Sequence, residues 1–71
     1  SVAEIKAPET LVGKSLRDAD IRPKLGITIL AIKRRNEDGE QNDIVNPSGD
    51  DTVEADDILL VYGPDANIDT M

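Results

Sequence analysis

The acidic residues between positions 50 and 57 are the densest set of side chains that could do chemistry. Their carboxylate oxygens are hard ligands of the kind that calcium prefers. Their spacing differs from the calcium-binding loop, in which acids alternate before a central glycine and a distant glutamate completes the site. A solvated acidic loop is therefore the favoured interpretation, and divalent-cation sensing stays an alternative. The five acids are Asp50, Asp51, Glu54, Asp56 and Asp57.

Arg22 is the strongest candidate for binding an anion. It precedes Pro23, whose ring fixes the local backbone. A guanidinium can hold a phosphate through two parallel hydrogen bonds. In a two-fold dimer, two copies of Arg22 could face the two phosphates of a two-fold symmetric ligand. The alternative is a surface salt bridge from Arg22 to Asp18 or Asp20.

Catalysis is not expected. The chain has no histidine and no cysteine, so it lacks the usual general acid or base near neutral pH and any thiolate metal site. The serines at 1, 15 and 48 have no basic partner in the pattern, and no glycine-rich phosphate loop is present. We predict a protein that is not an enzyme, with no bound metal and no cofactor.

Charge is distributed unevenly over the 71 residues, whose net charge is −7. Residues 1–35 hold all eight Lys and Arg with four acids, whereas residues 36–57 hold nine acids and no base. The acidic half and the single aromatic residue, Tyr62, argue against nucleic-acid binding. No signal peptide is evident and no apolar run approaches the roughly 20 residues that span a bilayer. We expect a soluble cytoplasmic location with no membrane insertion.

The segment 27–32 is the longest strand-like run and organises the rest of the chain. It carries no charge and contains three isoleucines, whose β-branched side chains favour a strand. Strict alternation puts apolar residues on both faces of this strand. A domain this small cannot easily cover both faces by itself, so the second face favours a homodimer. The two predicted sets are Ile27, Ile29 and Ala31 on one side, and Thr28, Leu30 and Ile32 on the other.

A short helix is predicted at Leu16–Ala19, with Ser15 and Asp18 as its capping box. Pro23 should interrupt this helix because proline lacks an N–H group and disfavours helical geometry just before it. One further helical turn is expected before Gly26 ends it in a left-handed conformation.

Three more strands complete the predicted domain, at 1–7, 43–46 and 58–62. Asp38-Gly39 is a two-residue hairpin signal that pairs the central strand with the 43–46 strand, and Val53 is expected to fill the core. The order is β-α-β-β-β. It predicts one small α+β domain, with a mainly antiparallel sheet and one short helix packed on a face.

Six short motifs follow one another along the chain: Leu-Val-Gly-Lys-Ser-Leu at 11–16, Asp-Ile-Arg at 20–22, Gly-Ile-Thr-Ile-Leu-Ala-Ile-Lys-Arg at 26–34, Asn-Pro at 46–47, Thr-Val at 52–53 and Asp-Ile-Leu-Leu-Val-Tyr-Gly at 57–63. This ordered set resembles the TrkA C-terminal domain family, also called the C-terminal domain of regulators of potassium conductance (RCK_C). The resemblance covers residues 1–71. Two departures stand out: Asp56-Asp57 replaces a common Gly-Asp, which aspartate's tolerance of left-handed geometry permits, and the hairpin at 35–42 is longer.

The resemblance implies a cytoplasmic regulatory domain excised from a potassium channel, potassium transporter or cation antiporter. Such domains usually follow a nucleotide-binding Rossmann domain or are attached to a membrane transport domain. Several members dimerise and bind cyclic di-AMP across the dimer interface. Here, binding of cyclic di-AMP or another small anionic ligand at the homodimer interface would gate transport. The alternatives are a purely structural dimerisation module and a divalent-cation sensor that uses the acidic loop.

The resemblance also suggests where a small nucleotide ligand would bind. Arg22 would hold a phosphate, and the strand start at Thr28 and Ile29 would reach the base. Many cyclic-dinucleotide-binding members carry asparagine where Thr28 stands, and a single hydroxyl offers fewer hydrogen bonds than an amide. Four further residues would form apolar walls: Leu16, Ile44, Val45 and Pro47.

Overall fold

The computed structural model describes all 71 residues and contains one four-stranded sheet with the strand order β1-β4-β2-β3. Every neighbouring pair of strands is antiparallel. The predicted α+β class, with a short helix packed on an antiparallel sheet, is confirmed. None of the helices is long and apolar enough to cross a membrane. The elements are β1 (Val2–Lys6), α1 (Leu16–Ala19), α2 (Ile21–Leu25), β2 (Thr28–Lys33), β3 (Ile44–Val45), β4 (Ile58–Tyr62) and α3 (Asp65–Asp69).

The core lies on one face of the sheet, where helices α1 and α2 cover it. Leu59 and Val61 of the central strand β4 point into this core and are fully buried. Val53, in the loop before β4, is also completely buried, which confirms its predicted role as a core residue. Each buried side chain of this size stabilises the fold by about 1.5 to 3 kcal/mol. The buried hydrophobic cluster consists of Ala7, Leu11, Ile21, Ile27, Ile32, Val53, Leu59 and Val61.

A β-bulge at Leu30 breaks the alternation of strand β2. Ile29 pairs with Val61, but the next pair along the strand is Ala31 with Leu60, so Leu30 is an extra residue. The prediction of strict alternation was therefore wrong beyond Leu30. Ile29 and Ile32 both face the core, whereas Ala31 joins Thr28 on the opposite face, because the bulge reverses the orientation of the residues that follow it.

The opposite face of the sheet, which we call the open sheet face, has the uncharged residues Val2, Thr28, Ala31, Val45, Ile58, Leu60 and Tyr62. Three of its apolar side chains are well exposed: Val2 at 58%, Tyr62 at 55% and Val45 at 70%. Val2 pairs with Tyr62 and Tyr62 pairs with Thr28, so these side chains are neighbours. Charged side chains also project from this face, and the salt bridge between Lys33 and Glu4, 2.8 Å long, crosses strand β4. Exposed apolar side chains beside charged ones are typical of an interaction surface.

The two short helices meet at Asp20, which has a left-handed conformation with φ of 53°. Ser15 caps α1 as predicted, because the Asp18 amide donates to its Oγ at 3.1 Å. The helix was predicted to be interrupted at Pro23, but the break lies at Asp20, between α1 and α2. Pro23 is the third residue of α2, where its missing N–H would have had no partner within the helix. Gly26 ends α2 with φ of 68°, as predicted.

The hairpin between β2 and β3 has a three-residue turn instead of the predicted two-residue turn. The Asn36 amide donates to the Glu40 carbonyl at 2.9 Å, and Gly39 alone of the turn residues has positive φ. The Asn36 side chain accepts hydrogen bonds from the amides of Asp38 and Glu40 at 3.1 and 2.9 Å. These two bonds stabilise the wider turn. The predicted antiparallel pairing of the two strands is confirmed.

A buried ion pair joins the end of β2 to the loop before β4. Arg34 donates from Nε and Nη2 to the two carboxylate oxygens of Asp57, at 3.0 and 2.8 Å. The Glu54 amide donates to the same carboxylate at 2.8 Å, and Arg34 Nη2 also donates to the Thr52 carbonyl at 2.9 Å. Asp57 is only 1% exposed. The neighbouring Asp56 has φ of 68°, so aspartate does adopt the left-handed geometry expected at this turn.

The charge of this pair is set by its surroundings. Burial raises the pKa of the Asp57 carboxyl, but the hydrogen bonds from Arg34 and the Glu54 amide, with the charge of Arg34, outweigh burial. The pKa of Asp57 therefore lies below its ordinary value. The hydrogen bond to Asp57 likewise raises the pKa of Arg34. Both groups stay charged near neutral pH.

Candidate ligand-binding cleft

The acidic residues of the 50–57 segment do not converge on a common point. Asp50 pairs with Arg17, Asp57 pairs with Arg34, and Asp56 pairs with Lys6. No group of three or more acids is arranged to hold a metal ion. The geometry therefore gives the divalent-cation alternative no ligand set.

A cleft of about 490 Å³ opens between the two short helices, the start of β2 and the loop that follows β3. It is the largest of the three clefts of the domain. Its walls combine aliphatic side chains with two arginines and a hydroxyl-bearing strand end, a mixture suited to an anionic ligand with an apolar part. The lining residues are Leu16, Arg17, Ile21, Arg22, Ile27, Thr28, Ile29, Pro47, Ser48 and Gly49.

Backbone hydrogen bonds hold the loop wall of the cleft against helix α1. The amides of Leu16 and Arg17 have no partner within the first turn of the helix. They donate to the carbonyls of Asp51 and Gly49, at 2.9 and 3.0 Å. The Ser48 amide donates to the Asp51 carboxylate at 2.7 Å and closes the turn. Both walls of the cleft are thus fixed without a ligand.

Arg22 lies at the cleft with most of its donors free. Its one side-chain hydrogen bond, from Nη2 to Thr28 Oγ1, is 3.4 Å long and therefore weak. The salt bridge to Asp18 or Asp20, considered from the sequence, does not form. An exposed guanidinium without a carboxylate partner can accept an incoming phosphate without first breaking an ion pair.

Thr28 connects the cleft to the open sheet face. It lines the cleft beside Arg22, and it is also paired with Tyr62 in the sheet. A molecule bound in the cleft therefore lies next to any protein that covers the open sheet face at Tyr62.

Five of the seven residues suggested from the sequence meet in this cleft. Ile44 and Val45 lie elsewhere: Ile44 packs against the core, and Val45 is exposed on the open sheet face. Adjacent residues of a strand point to opposite faces, so these two side chains cannot share one pocket wall. The five that meet are Leu16, Arg22, Thr28, Ile29 and Pro47.

The sequence reasoning missed three polar or small residues of the cleft. Arg17 lines the cleft and pairs with Asp50 at 2.7 Å. Ser48 and Gly49 form the loop wall. The turn chemistry of the Pro-Ser-Gly-Asp sequence at 47–50 was the available signal, because turns that follow a strand often approach a helix start.

Comparison with known proteins identifies the family. Residues 2–71 match the TrkA-C domain model. The chain belongs to the TrkA-C family. This assignment confirms the resemblance inferred from the ordered motifs between positions 11 and 63.

A curated relative of this TrkA-C domain is the Ktr system potassium uptake protein C of Bacillus subtilis (strain 168). The two are 44% identical over 63 residues, which cover 89% of this chain. The match spans only 26% of the Bacillus protein, so this domain corresponds to about a quarter of that relative.

Solved structures share the fold of this TrkA-C domain. The RCK C domain of the potassium transport protein KtrA, in complex with cyclic di-AMP, is 37% identical with a TM-score of 0.84, covering 99% of this chain and 76% of that chain. The RCK_C domain dimer of S. agalactiae BusR, also in complex with cyclic di-AMP, is 24% identical with a TM-score of 0.80, covering 97% and 82%. The BusR likeness concerns the fold alone.

Proposed function

We propose that this TrkA-C domain is the ligand-binding regulatory part of a potassium transport system and that it binds cyclic di-AMP in the cleft, between two copies of the domain. The observation that carries the proposal is the unpaired guanidinium of Arg22 at the cleft. The likeness to the KtrA domain that was solved with cyclic di-AMP supports the choice of ligand. No catalytic role is needed for this function.

Each structural part of the cleft has a role in the proposed complex. Arg22 holds a phosphate through charge-assisted hydrogen bonds. The start of β2 at Thr28 and Ile29 faces the base, while Leu16 and Pro47 supply apolar contact. In a two-fold dimer the two copies of Arg22 face the two phosphates, so ligand symmetry and protein symmetry match.

Regulation would follow from a population shift. A ligand that binds one dimer geometry more tightly than another favours that geometry by its difference in binding free energy. A flanking domain of the whole protein, either a Rossmann-type domain or a membrane transport domain, then transmits the change in dimer geometry to the transport gate from the cytoplasmic side. The relative in the Ktr potassium uptake system supports potassium as the transported ion.

Replacing Arg22 with alanine should weaken cyclic di-AMP binding at least tenfold, which corresponds to about 1.4 kcal/mol. Calorimetric titration of the domain measures both the affinity and the stoichiometry, which should be one ligand per two chains. Lys24→Ala is the matched control, because Lys24 is exposed on the same helix but does not line the cleft. Its affinity should equal that of the unmodified domain.

Two results would contradict these assignments. Equal affinities for Arg22→Ala and Lys24→Ala would reject the phosphate-binding role of Arg22. No saturable heat with cyclic di-AMP would reject the ligand, and ATP and calcium titrations run alongside would show whether another ligand binds. Heat with calcium alone would revive the cation alternative.

A dimerisation module without a ligand is the second candidate function, favoured by the exposure of Val2, Val45 and Tyr62 on the open sheet face. Sedimentation should give a dimer at high micromolar concentration, and Val45→Asp should shift it to a monomer, since a charge would be buried on association. A stable monomer before substitution would count against both functions. A dimer that does not bind cyclic di-AMP would favour this second function.

A further inference from the structure

Three contacts place the Arg17 side chain against the loop wall. Its Nη1 lies 2.7 Å from the Asp50 carboxylate. The backbone amide of Arg17 donates to the Gly49 carbonyl at 3.0 Å. A Cβ atom added to Gly49 would lie 3.2 Å from the Arg17 Cβ and 3.4 Å from both Nε and Nη2. The Arg17 side chain therefore lies along the Gly49 backbone, and a side chain at position 49 would touch it.

Arg17 and Arg22 both line the cleft, but their guanidinium groups can make different interactions with a ligand. Arg22 makes no ion pair, so its charge is available to a phosphate. The charge of Arg17 is already paired with Asp50, and its loop-facing side lies against Gly49. What remains for the cleft is the other side of a flat, positioned guanidinium.

The cleft has no aromatic side chain. Tyr62, the only aromatic residue of the chain, is not part of its lining. Apart from the two arginines and the hydroxyl-bearing residues, the walls are aliphatic. Bases in protein complexes stack on aromatic rings or on the planes of arginine guanidinium groups. Arg17 is thus the lining side chain whose planar group is oriented by both an ion pair and the loop wall.

We propose that Arg17 stacks on the purine base of the ligand, and that Asp50 and Gly49 are positioning residues that keep its guanidinium in place. This inference rests on the proposed function, because it needs a purine nucleotide in the cleft. The two arginines then have different roles in ligand binding: Arg22 binds phosphate and Arg17 stacks on the base. In the dimer, each half of a two-fold symmetric ligand meets one copy of each arginine.

Arg17→Lys tests the role of the planar group, since lysine keeps the positive charge but has no plane to stack. Cyclic di-AMP affinity should fall about tenfold, because lysine cannot replace the planar stacking of the two Arg17 copies on the bases of one ligand. Arg35→Lys is the matched control, because Arg35 is exposed and lies outside the cleft. Its affinity should not change. Gly49→Ala should weaken binding in the same direction but by less, because its Cβ would lie 3.2 Å from the Arg17 Cβ and shift that side chain slightly while every charge remains.

A spectroscopic measurement separates stacking from other roles. The side-chain Nε–Hε signal of Arg17 should move upfield on addition of cyclic di-AMP, because the ring current of a stacked base shields a proton above its plane. The Arg35 signal should stay in place. This readout uses the unmodified domain, so it does not depend on how well a variant folds.

Each outcome leads to one conclusion. If cyclic di-AMP binds the unmodified domain but Arg17→Lys keeps full affinity and the Arg17 signal does not move, stacking is refuted and the proposed function stands. If Arg17→Ala loses affinity while Arg17→Lys keeps it, Arg17 acts through charge, and the stacking role is again overturned. If the unmodified domain does not bind cyclic di-AMP, the proposed function and this inference fail together.

Discussion

Replacing Asp57 with asparagine should lower the free energy of unfolding by about 3 kcal/mol, the typical result of removing one partner of a buried ion pair. Asp57 is 1% exposed and accepts hydrogen bonds from Arg34 Nε and Nη2 and from the Glu54 amide. Asparagine has a similar shape but no charge, so Arg34 would lose its buried counterion and keep only the exposed carboxylate of Glu54, which lies 2.7 Å from its Nη1. Chemical denaturation measures the change.

Asp56→Asn is the matched control. Asp56 is adjacent in sequence, its side chain is 86% exposed, and asparagine tolerates its left-handed conformation. Its loss should be below about 0.5 kcal/mol, as for most surface substitutions. Equal losses for the two variants would contradict a special role for the buried pair.

Lowering the pH should reduce the difference in stability between the Asp57→Asn variant and the unmodified domain. The pKa of Asp57 is lower in the folded domain than in the unfolded chain. The stabilisation by the ion pair is therefore complete above the ordinary aspartate pKa of about 3.9 and is lost as the pH falls below it, through the folded pKa. Asp57→Asn has no such proton to bind, so its difference from the unmodified domain should shrink in this acidic range. A constant difference would contradict the assignment.

Replacing Val53 with alanine should lower the free energy of unfolding by about 2 to 3 kcal/mol, the sum of lost burial and of the cavity left behind. Val53 is completely buried although it lies in a loop. Its amide donates to the Lys14 carbonyl and its carbonyl accepts from Gly13, at 2.9 and 2.8 Å. These bonds hold the loop in place, so the surroundings cannot easily collapse into the cavity.

Val12→Ala is the control for Val53, because Val12 also lies in a loop but is 36% exposed. Its effect should be under about 0.5 kcal/mol. Thermal denaturation of both variants gives an independent comparison. A small loss at Val53 would mean that the loop relaxes around the smaller side chain, against the rigid attachment inferred from its hydrogen bonds.

Local chemistry made several parts of the fold predictable. Ser15 caps a helix because its oxygen reaches an amide three residues on, and Gly26 ends one because glycine readily takes positive φ. The apolar strand β4 and the buried Val53 also follow from residue type and spacing. Each of these features depends on residues within one turn or one strand.

Features that depend on distant residues could not be predicted in the same way. Arg34 and Asp57 are 23 positions apart, and nothing near either residue marks the other as its partner. The bulge at Leu30 results from the register with β4, which the alternation within β2 cannot reveal. The contact between Arg17 and Gly49 likewise exists only because a distant loop returns to helix α1.

The strand order limits how this domain can aggregate. An edge strand with free N–H and C=O groups invites another sheet to add to it. Strand β3 is only two residues long and is followed by the left-handed Asn46 and by Pro47, which cannot continue a ladder. At the other edge, β1 carries the charged side chains of Glu4 and Lys6, which oppose growth of the sheet. A two-fold contact through the open sheet face would close after two copies, whereas edge-to-edge growth would form open fibres.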